Sequence, residues 1–236
     1  MRELLLAGRR KVRDVWLAED LDAAPVLDEI VELASEARVP VKRVKRTQLE
    51  GAARTEAPQG VLAHAAPLHE AELDTLCRRG KAGRPPFLVA LDGITDPQNV
   101  GALLRTAECA GASGILVPRH RAAHVTPTVA KAAAGAIEYL DIAVVSGLPA
   151  ALARAKELGV WVVGLDAAGD ASLFDLTVAT EPVCLVLGAE GAGLGRLTRA
   201  RCDVVAGIPL GGALGSLNVA AAGALGCFEV ARRRLS

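Results

Sequence analysis

Residues 183–187 read Val-Cys-Leu-Val-Leu, an apolar run with no polar face. Such a run fits a strand buried on both sides, as in a parallel sheet covered by helices above and below. Four of the next eight residues are glycine (Gly188, Gly191, Gly193 and Gly195), with the carboxylate of Glu190 among them. Glycine admits positive φ and lets backbone approach a ligand closely. A loop of this kind at the end of a buried strand is where open α/β sheets bind small molecules.

The surrounding chain keeps the same rhythm. From Phe87 onward, strand patterns at residues 87–91, 114–117, 142–145, 160–165, 183–187 and 203–206 alternate with helical patterns. The helices are expected from Pro97 to near Gly111, over 128–140 and 148–158, briefly near 194–199, and from Ser216 to about Arg233. This alternation predicts an α/β domain, a parallel sheet with helices on both faces. Residues 1–66 predict a smaller α/β unit. It has a strand at 12–17, a helix marked by Val26, Leu27, Ile30, Leu33, Ala34 and Ala37, an extended segment at 39–44 and a short strand at 60–63. Between them, residues 67–86 read as a linker, with a short polar helix over 70–77 and then the basic Gly/Pro-rich stretch Arg78-Arg79-Gly80-Lys81-Ala82-Gly83-Arg84-Pro85-Pro86. The expected domains are therefore 1–66 and 87–236, joined by 67–86.

Hydrophobic residues make up 51% of the chain but aromatics only 3%, so the core must be built from Ala, Val and Leu. Formal net charge is zero, with 27 basic and 27 acidic residues, so any nucleic-acid surface must come from local clusters. Two clusters qualify, residues 9–13 and 42–46, each with four cations in five residues. Read alone they are solvated strand ends; next to an RNA-acting domain they are phosphate contacts. The five cysteines, Cys77, Cys109, Cys184, Cys202 and Cys227, show no metal-ligand spacing and read as reduced packing residues of a cytoplasmic protein. Residues 1–6 are too short in their apolar part for a signal peptide, and 217–230 falls short of the ~20 apolar residues of a membrane span. His64, His69, His120 and His124 lack partner spacing; the last two sit in a polar loop that could touch RNA.

Three motifs carry a resemblance. Asn99-Val100-Gly101-Ala102-Leu103-Leu104-Arg105 opens a helix, Leu187-Gly188-Ala189-Glu190-Gly191-Ala192-Gly193-Leu194 forms the glycine-rich loop, and Ile208-Pro209-Leu210 precedes Ser216-Leu217-Asn218-Val219-Ala220. In this order they resemble the signature of the SpoU (TrmH) family of RNA ribose 2′-O-methyltransferases, within the SPOUT superfamily. The likeness covers residues 87–236 and is greatest to the branch that methylates a guanosine of 23S ribosomal RNA. It implies a C-terminal trefoil knot, which periodicity cannot show. Residues 1–66 resemble, more loosely, the L30e-like RNA substrate-binding domain that many members carry, with Met1 falling where related chains are already in a first helix.

The resemblance implies S-adenosyl-L-methionine as cofactor, held by Gly164, Leu187, Gly188, Gly193, Ile208, Leu210, Ser216 and Leu217. It implies that Arg105 engages the RNA phosphate and ribose hydroxyl, that Asn99 positions it, and that Glu190, Ser216 and Asn218 orient the substrate. It also implies a homodimer through the C-terminal domain, to which the small residues of the last helix would be suited. Two rival readings remain. A dinucleotide-dependent oxidoreductase lacks the G-x-G-x-x-G spacing at the first strand-to-helix turn. A noncatalytic RNA-binding factor is disfavoured by Asn99, Arg105 and Glu190. A tRNA or resistance-type rRNA substrate stays open within the family.

Overall fold

The computed structural model describes residues 1–53, 58–119 and 126–235. The chain divides into two compact units, Met1–Leu68 and His69–Ser236. In the first, α1 (Arg2–Ala7), β1 (Val12–Ala18), α2 (Pro25–Glu36), β2 (Val41–Val44), α3 (Arg46–Ala52) and β3 (Val61–Ala65) follow in order. The sheet runs β2-β1-β3, with β1 parallel to β2 and antiparallel to β3. Alternation along β1 sends Val15 and Leu17 into a core with Leu5, Ile30 and Ala34, while Ala18 packs with Val44 and Leu49. Helix α1 lies where the resemblance puts a first helix, whereas α3 was not expected; with six and seven residues, both are too short to display a helical period.

The second unit contains α4 (Leu73–Arg78), β4 (Phe87–Asp92), α5 (Pro97–Cys109), β5 (Gly114–Pro118), α6 (Pro127–Ala132), β6 (Ile142–Val145), α7 (Leu148–Glu157), β7 (Trp161–Leu165), β8 (Ala171–Ser172), β9 (Val183–Gly188), α8 (Arg196–Arg199), β10 (Val204–Gly207) and α9 (Val219–Leu235). Its seven strands lie in the order β6-β5-β4-β9-β7-β10-β8, and every pairing is parallel. The expected α/β sheet is thus present. All six residues of β9 are buried. Cys184 and Val186 face a cluster with Leu76, Leu148 and Leu152 of α4 and α7. Leu185 and Leu187 face the other way, against Gly226 and Gly223 of α9. Helices therefore cover both faces, α7 packing with α4 and α8, and α9 with α5.

Several boundaries differ from the sequence expectation for physical reasons. The helix expected over 128–140 stops at Ala132. Ala134 (φ 50°) and Gly135 (φ 90°) turn left-handed, and only a 3₁₀ turn, Ala136–Glu138, follows. The last helix begins at Val219 rather than Ser216, because the Asn218 side chain accepts from the backbone N–H groups of Ala220 (2.8 Å) and Ala221 (3.3 Å). Much of the stretch read as a linker packs with the second unit. Leu76 and Cys77 are buried against the sheet, and Arg154 grips Asp74 through two bonds of 3.0 and 2.6 Å. The small residues of α9 are also used within the chain: a Cβ on Gly223 would lie 2.2 Å from Leu103, and one on Gly226 2.5 Å from Leu165. Burial pushes the thiols of Cys77 and Cys202 up to about 11 and that of Cys227 up to about 12, in keeping with packing roles. No helix among the described residues is long and apolar enough to cross a membrane.

Gly101, the glycine of the first motif, has a packing reason: a Cβ there would sit 2.3 Å from Ala132 Cβ and 2.8 Å from its backbone carbon, wedging α5 from α6. Gly101→Ala is expected to destabilise the protein by roughly 1–3 kcal/mol in urea unfolding; an unchanged midpoint would contradict the packing reading. In the first unit, Asp14 is buried and bonded to His64 Nδ1 (2.6 Å) and Lys42 Nζ (3.1 Å). Burial alone raises its pKa, but the bonds from His64 and Lys42 outweigh burial and hold the carboxyl below its usual value. Its stabilisation is then present above the unfolded pKa of about 3.9 and lost as pH falls through the lower folded value. Asp14→Asn should melt below wild type at neutral pH, by roughly 1–3 kcal/mol, with the gap narrowing below about pH 4. A gap independent of pH would refute this.

Candidate functional site

The strand order reverses at β4 and β9: from β4 the chain steps outward to β5 and β6, then resumes on the far side of β9 with β7. Clefts at the carboxyl ends of such strands are the usual ligand sites of open α/β sheets. A cleft of about 250 Å³ lies there. The turn after β7 contributes Leu165, Asp166 and Ala167. The turn after β9 contributes Leu187, Gly188, Glu190 and Gly193, and the chain between β10 and α9 contributes Ile208, Leu210, Ser216 and Leu217. Gly164, assigned to the cofactor from sequence, does not line the cleft. It sits one residue back in β7, where a Cβ would meet Leu194 (2.6 Å) and the Cys202 sulfur (2.8 Å), so its smallness serves packing.

The turn after β9 is tightly folded. The N–H of Gly193 donates to Ala189 O (2.8 Å) and that of Ala189 to Gly193 O (3.1 Å). Gly191 and Gly193 take φ of 74° and 63°, and a Cβ on Gly188 would lie 2.3 Å from the Gly193 carbonyl carbon. Two carboxylates overlooked in the sequence hold this turn from either side. Asp92, ending β4, accepts the Gly195 N–H at 2.8 Å; Asp166, following β7, accepts the Leu194 N–H at 3.4 Å. The signal was available, since each acidic residue directly follows an apolar strand pattern on a neighbour of β9.

Three of the five expected catalytic residues meet at the mouth of the cleft. Asn218 Nδ2 donates to Asn99 Oδ1 (3.2 Å) and to Glu190 Oε1 (2.5 Å), and the Val219 N–H donates to the same Glu190 oxygen (3.3 Å). Asn99 is delivered by the first turn of α5, which opens on Pro97 and is capped by Asp96 accepting the Gln98 N–H (3.0 Å). Ser216 lines the cleft and is exposed, without capping α9. Arg105 stands apart. Six residues at ~100° each put it about 120° around α5 from Asn99. It is exposed and makes no hydrogen bond or ion pair among the described residues; Glu108, its possible i+3 partner, lies 3.6 Å from Lys81 instead. His120 and His124 fall outside the described residues.

Fold and cleft together define an α/β protein with a small-molecule site at a switch point of a parallel sheet. Comparison with known proteins takes this further. The SpoU rRNA Methylase family matches residues 86–228, and the RNA 2′-O ribose methyltransferase substrate binding family matches residues 2–71. The chain is 36% identical over 237 residues to the 23S rRNA (guanosine-2′-O-)-methyltransferase RlmB of Pseudomonas putida, covering 99% of this chain and 94% of that protein. The enzyme of the same name from Pseudomonas syringae is 39% identical, over 98% and 92%. Among solved structures, the SpoU methyltransferase AviRb from Streptomyces viridochromogenes in complex with AdoMet superposes with a TM-score of 0.79 at 27% identity, over 100% of this chain and 88% of that one. An AdoMet-bound rRNA methyltransferase from Sinorhizobium meliloti gives 0.79 at 25%, over 100% and 86%. The chain belongs to the SpoU rRNA methylase family.

Gly193 combines a left-handed φ with a Cβ position 2.9 Å from Asp166 Oδ2, inside the cleft wall. Gly193→Ala is expected to weaken S-adenosylhomocysteine binding by about tenfold or more, ~1.4 kcal/mol, when measured by calorimetry. Wild-type affinity in this variant would show that the turn does not shape the site.

Proposed function

We propose that this protein transfers a methyl group from S-adenosyl-L-methionine to the ribose 2′-hydroxyl of a guanosine in 23S ribosomal RNA, acting in the cytoplasm. The observation that carries the reading is the union of a glycine-walled cleft with the Asn99–Asn218–Glu190 network at its mouth. The residues fit the donor chemically. Leu165, Leu187, Ile208, Leu210 and Leu217 offer apolar walls for an adenosine, and the glycine turns leave backbone N–H and C=O groups within reach. When bound, the donor would supply an electrophilic methyl on a sulfonium for transfer to the 2′-oxygen, whose proton would pass to solvent.

Asn218 both starts α9 and links Glu190 to Asn99, and in our reading this network orients the ribose at the cleft mouth. Glu190 uses Oε1 for both of its bonds, leaving Oε2 without a partner among the described residues for the substrate side. Arg105 we assign to the RNA phosphate and to the charge developing on the 2′-oxygen. A guanidinium already carries its proton and has no acceptor lone pair, which favours electrostatic stabilisation over a base role. Its lack of a partner among the described residues supports an engagement outside the single chain.

The first unit we assign to RNA. Of its second basic cluster, Lys42 and Arg46 pair with Asp14 and Asp20, whereas Arg43 and Lys45 make no ion pair among the described residues. We also carry forward a homodimer, supported by the exposed Leu214 (81%), Phe228 (51%) and Leu225 on and before α9. The trefoil knot is supported by the path from β9, inserted between β4 and β7, out to β10 and back to α9 against α5.

Transfer of tritiated methyl groups to 23S rRNA tests the reading. Arg105→Ala is expected to lower kcat/KM by about 10²–10³ with the donor's affinity retained. Undiminished transfer would remove Arg105 from the mechanism, and no transfer by wild type to any rRNA would overturn the proposed function.

A further inference from the structure

Asp166 and Glu190 are the two charged side chains that line the cleft among the described residues, and they are engaged differently. Glu190 joins the network at the mouth. Asp166 is held within the wall, where it bonds to its own turn, the turn after β9 and strand β10. Its Oδ1 accepts the Ala168 N–H of its own turn (2.9 Å), and its Oδ2 accepts the Leu194 N–H of the turn after β9 (3.4 Å). Its backbone N–H donates to Ala206 O of β10 (3.1 Å), and its carbonyl accepts the Gly169 N–H (3.0 Å). Behind it stands Arg199 of α8, which does not line the cleft. One guanidinium nitrogen lies 3.1 Å from Asp166 Oδ2, and the other donates to Ala168 O (2.9 Å). The Asp166 side chain is 16% exposed and that of Arg199 35%, so the pair is screened less than an ordinary surface ion pair.

This arrangement has a consequence for the width of the cleft. The Leu194 N–H and the Arg199 guanidinium bind the same carboxylate oxygen, and Gly193 passes against it with no room for a Cβ. Without Arg199 the carboxylate would keep a partly desolvated charge with no cation beside it. Turning toward water would relieve that cost but release Leu194 and the turn it anchors. We propose that Arg199 is a positioning residue for the methyl donor: paired with Asp166, it staples the turn after β7 to the turn after β9 at the separation the donor requires. The inference rests on reading this cleft as the donor site. Arg199 lies outside the cleft, and among the described residues its side chain reaches the cleft wall through Asp166 and Ala168.

The test is a double-mutant cycle on the full chain with Arg199→Ala, Asp166→Asn and the pair combined, read by calorimetry with S-adenosylhomocysteine and by melting of the ligand-free protein. Each single variant is expected to lose about tenfold in affinity, ~1.4 kcal/mol, and the double variant hardly more than either. Arg199→Lys should recover part of the loss. In methyl transfer, Arg199→Ala should raise KM for the donor by the same factor, with kcat and KM for RNA within about twofold of wild type. Melting temperatures should stay within a few degrees, about the shift of a 1 kcal/mol change. Wild-type affinity in Arg199→Ala, additive losses in the double variant, or a loss of affinity matched by a collapse in melting temperature would each overturn the staple. Failure of the wild type to bind S-adenosylhomocysteine would instead overturn the donor reading, and the staple with it.

Discussion

The strand β9 is buried along its whole length and hydrogen-bonded on both sides, Phe87 and Trp161 flanking Val183 at one end and Leu91 and Leu165 flanking Leu187 at the other. A strand so enclosed cannot shift register without exposing apolar side chains and leaving its backbone groups unpaired. Its carboxyl end is therefore a fixed point, and the glycine-rich turn leaves it at a defined place between the ends of β4 and β7. Asp92 and Asp166 continue that constraint beyond the sheet, since each takes a backbone N–H of the turn. The cleft is shaped by backbone whose freedom is removed from both flanks, which is the preorganisation a small-molecule site needs.

The polar network obeys the same logic. Asn99 arrives on a helix start, Glu190 on the glycine turn and Asn218 on the start of α9, so three segments distant in sequence converge through one amide side chain. Helix starts and strand-end turns are the parts of a rigid scaffold where side chains can face a ligand without disturbing the core. Gly223 and Gly226 let α9 lie close enough to Leu103, Leu165 and Leu185 for that convergence to occur.

Much of this was legible in the sequence because parallel strands buried on both faces leave continuous apolar runs, as at residues 87–91, 114–117 and 183–187. The loops of the cleft were legible through glycine and through motif order. Most of what escaped had no periodic or compositional trace. The two residues of β8 are too short for a pattern. The break after Ala132 depends on a local left-handed turn, and the start of α9 depends on which polar side chain, Ser216 or Asn218, reaches the helix N–H groups. Gly164 shows the limit of motif reasoning: a glycine beside a ligand loop is small there for the sake of Leu194 and Cys202. Asp92 and Asp166 each follow an apolar strand pattern, but their hold on the glycine turn, and that of Arg199 on Asp166, depends on partners far along the chain that meet only once β4, β9 and β7 are adjacent.

The central claim is that the turns after β7 and β9 and the segment before α9 form one donor site. A crystal structure of the protein grown with S-adenosylhomocysteine tests it most directly. Ligand density against Ala167, Gly188, Gly193 and Leu217, within reach of the Asn99–Asn218–Glu190 network, is the result the account requires. Density elsewhere on the protein, or an empty cleft at saturating ligand, would contradict it.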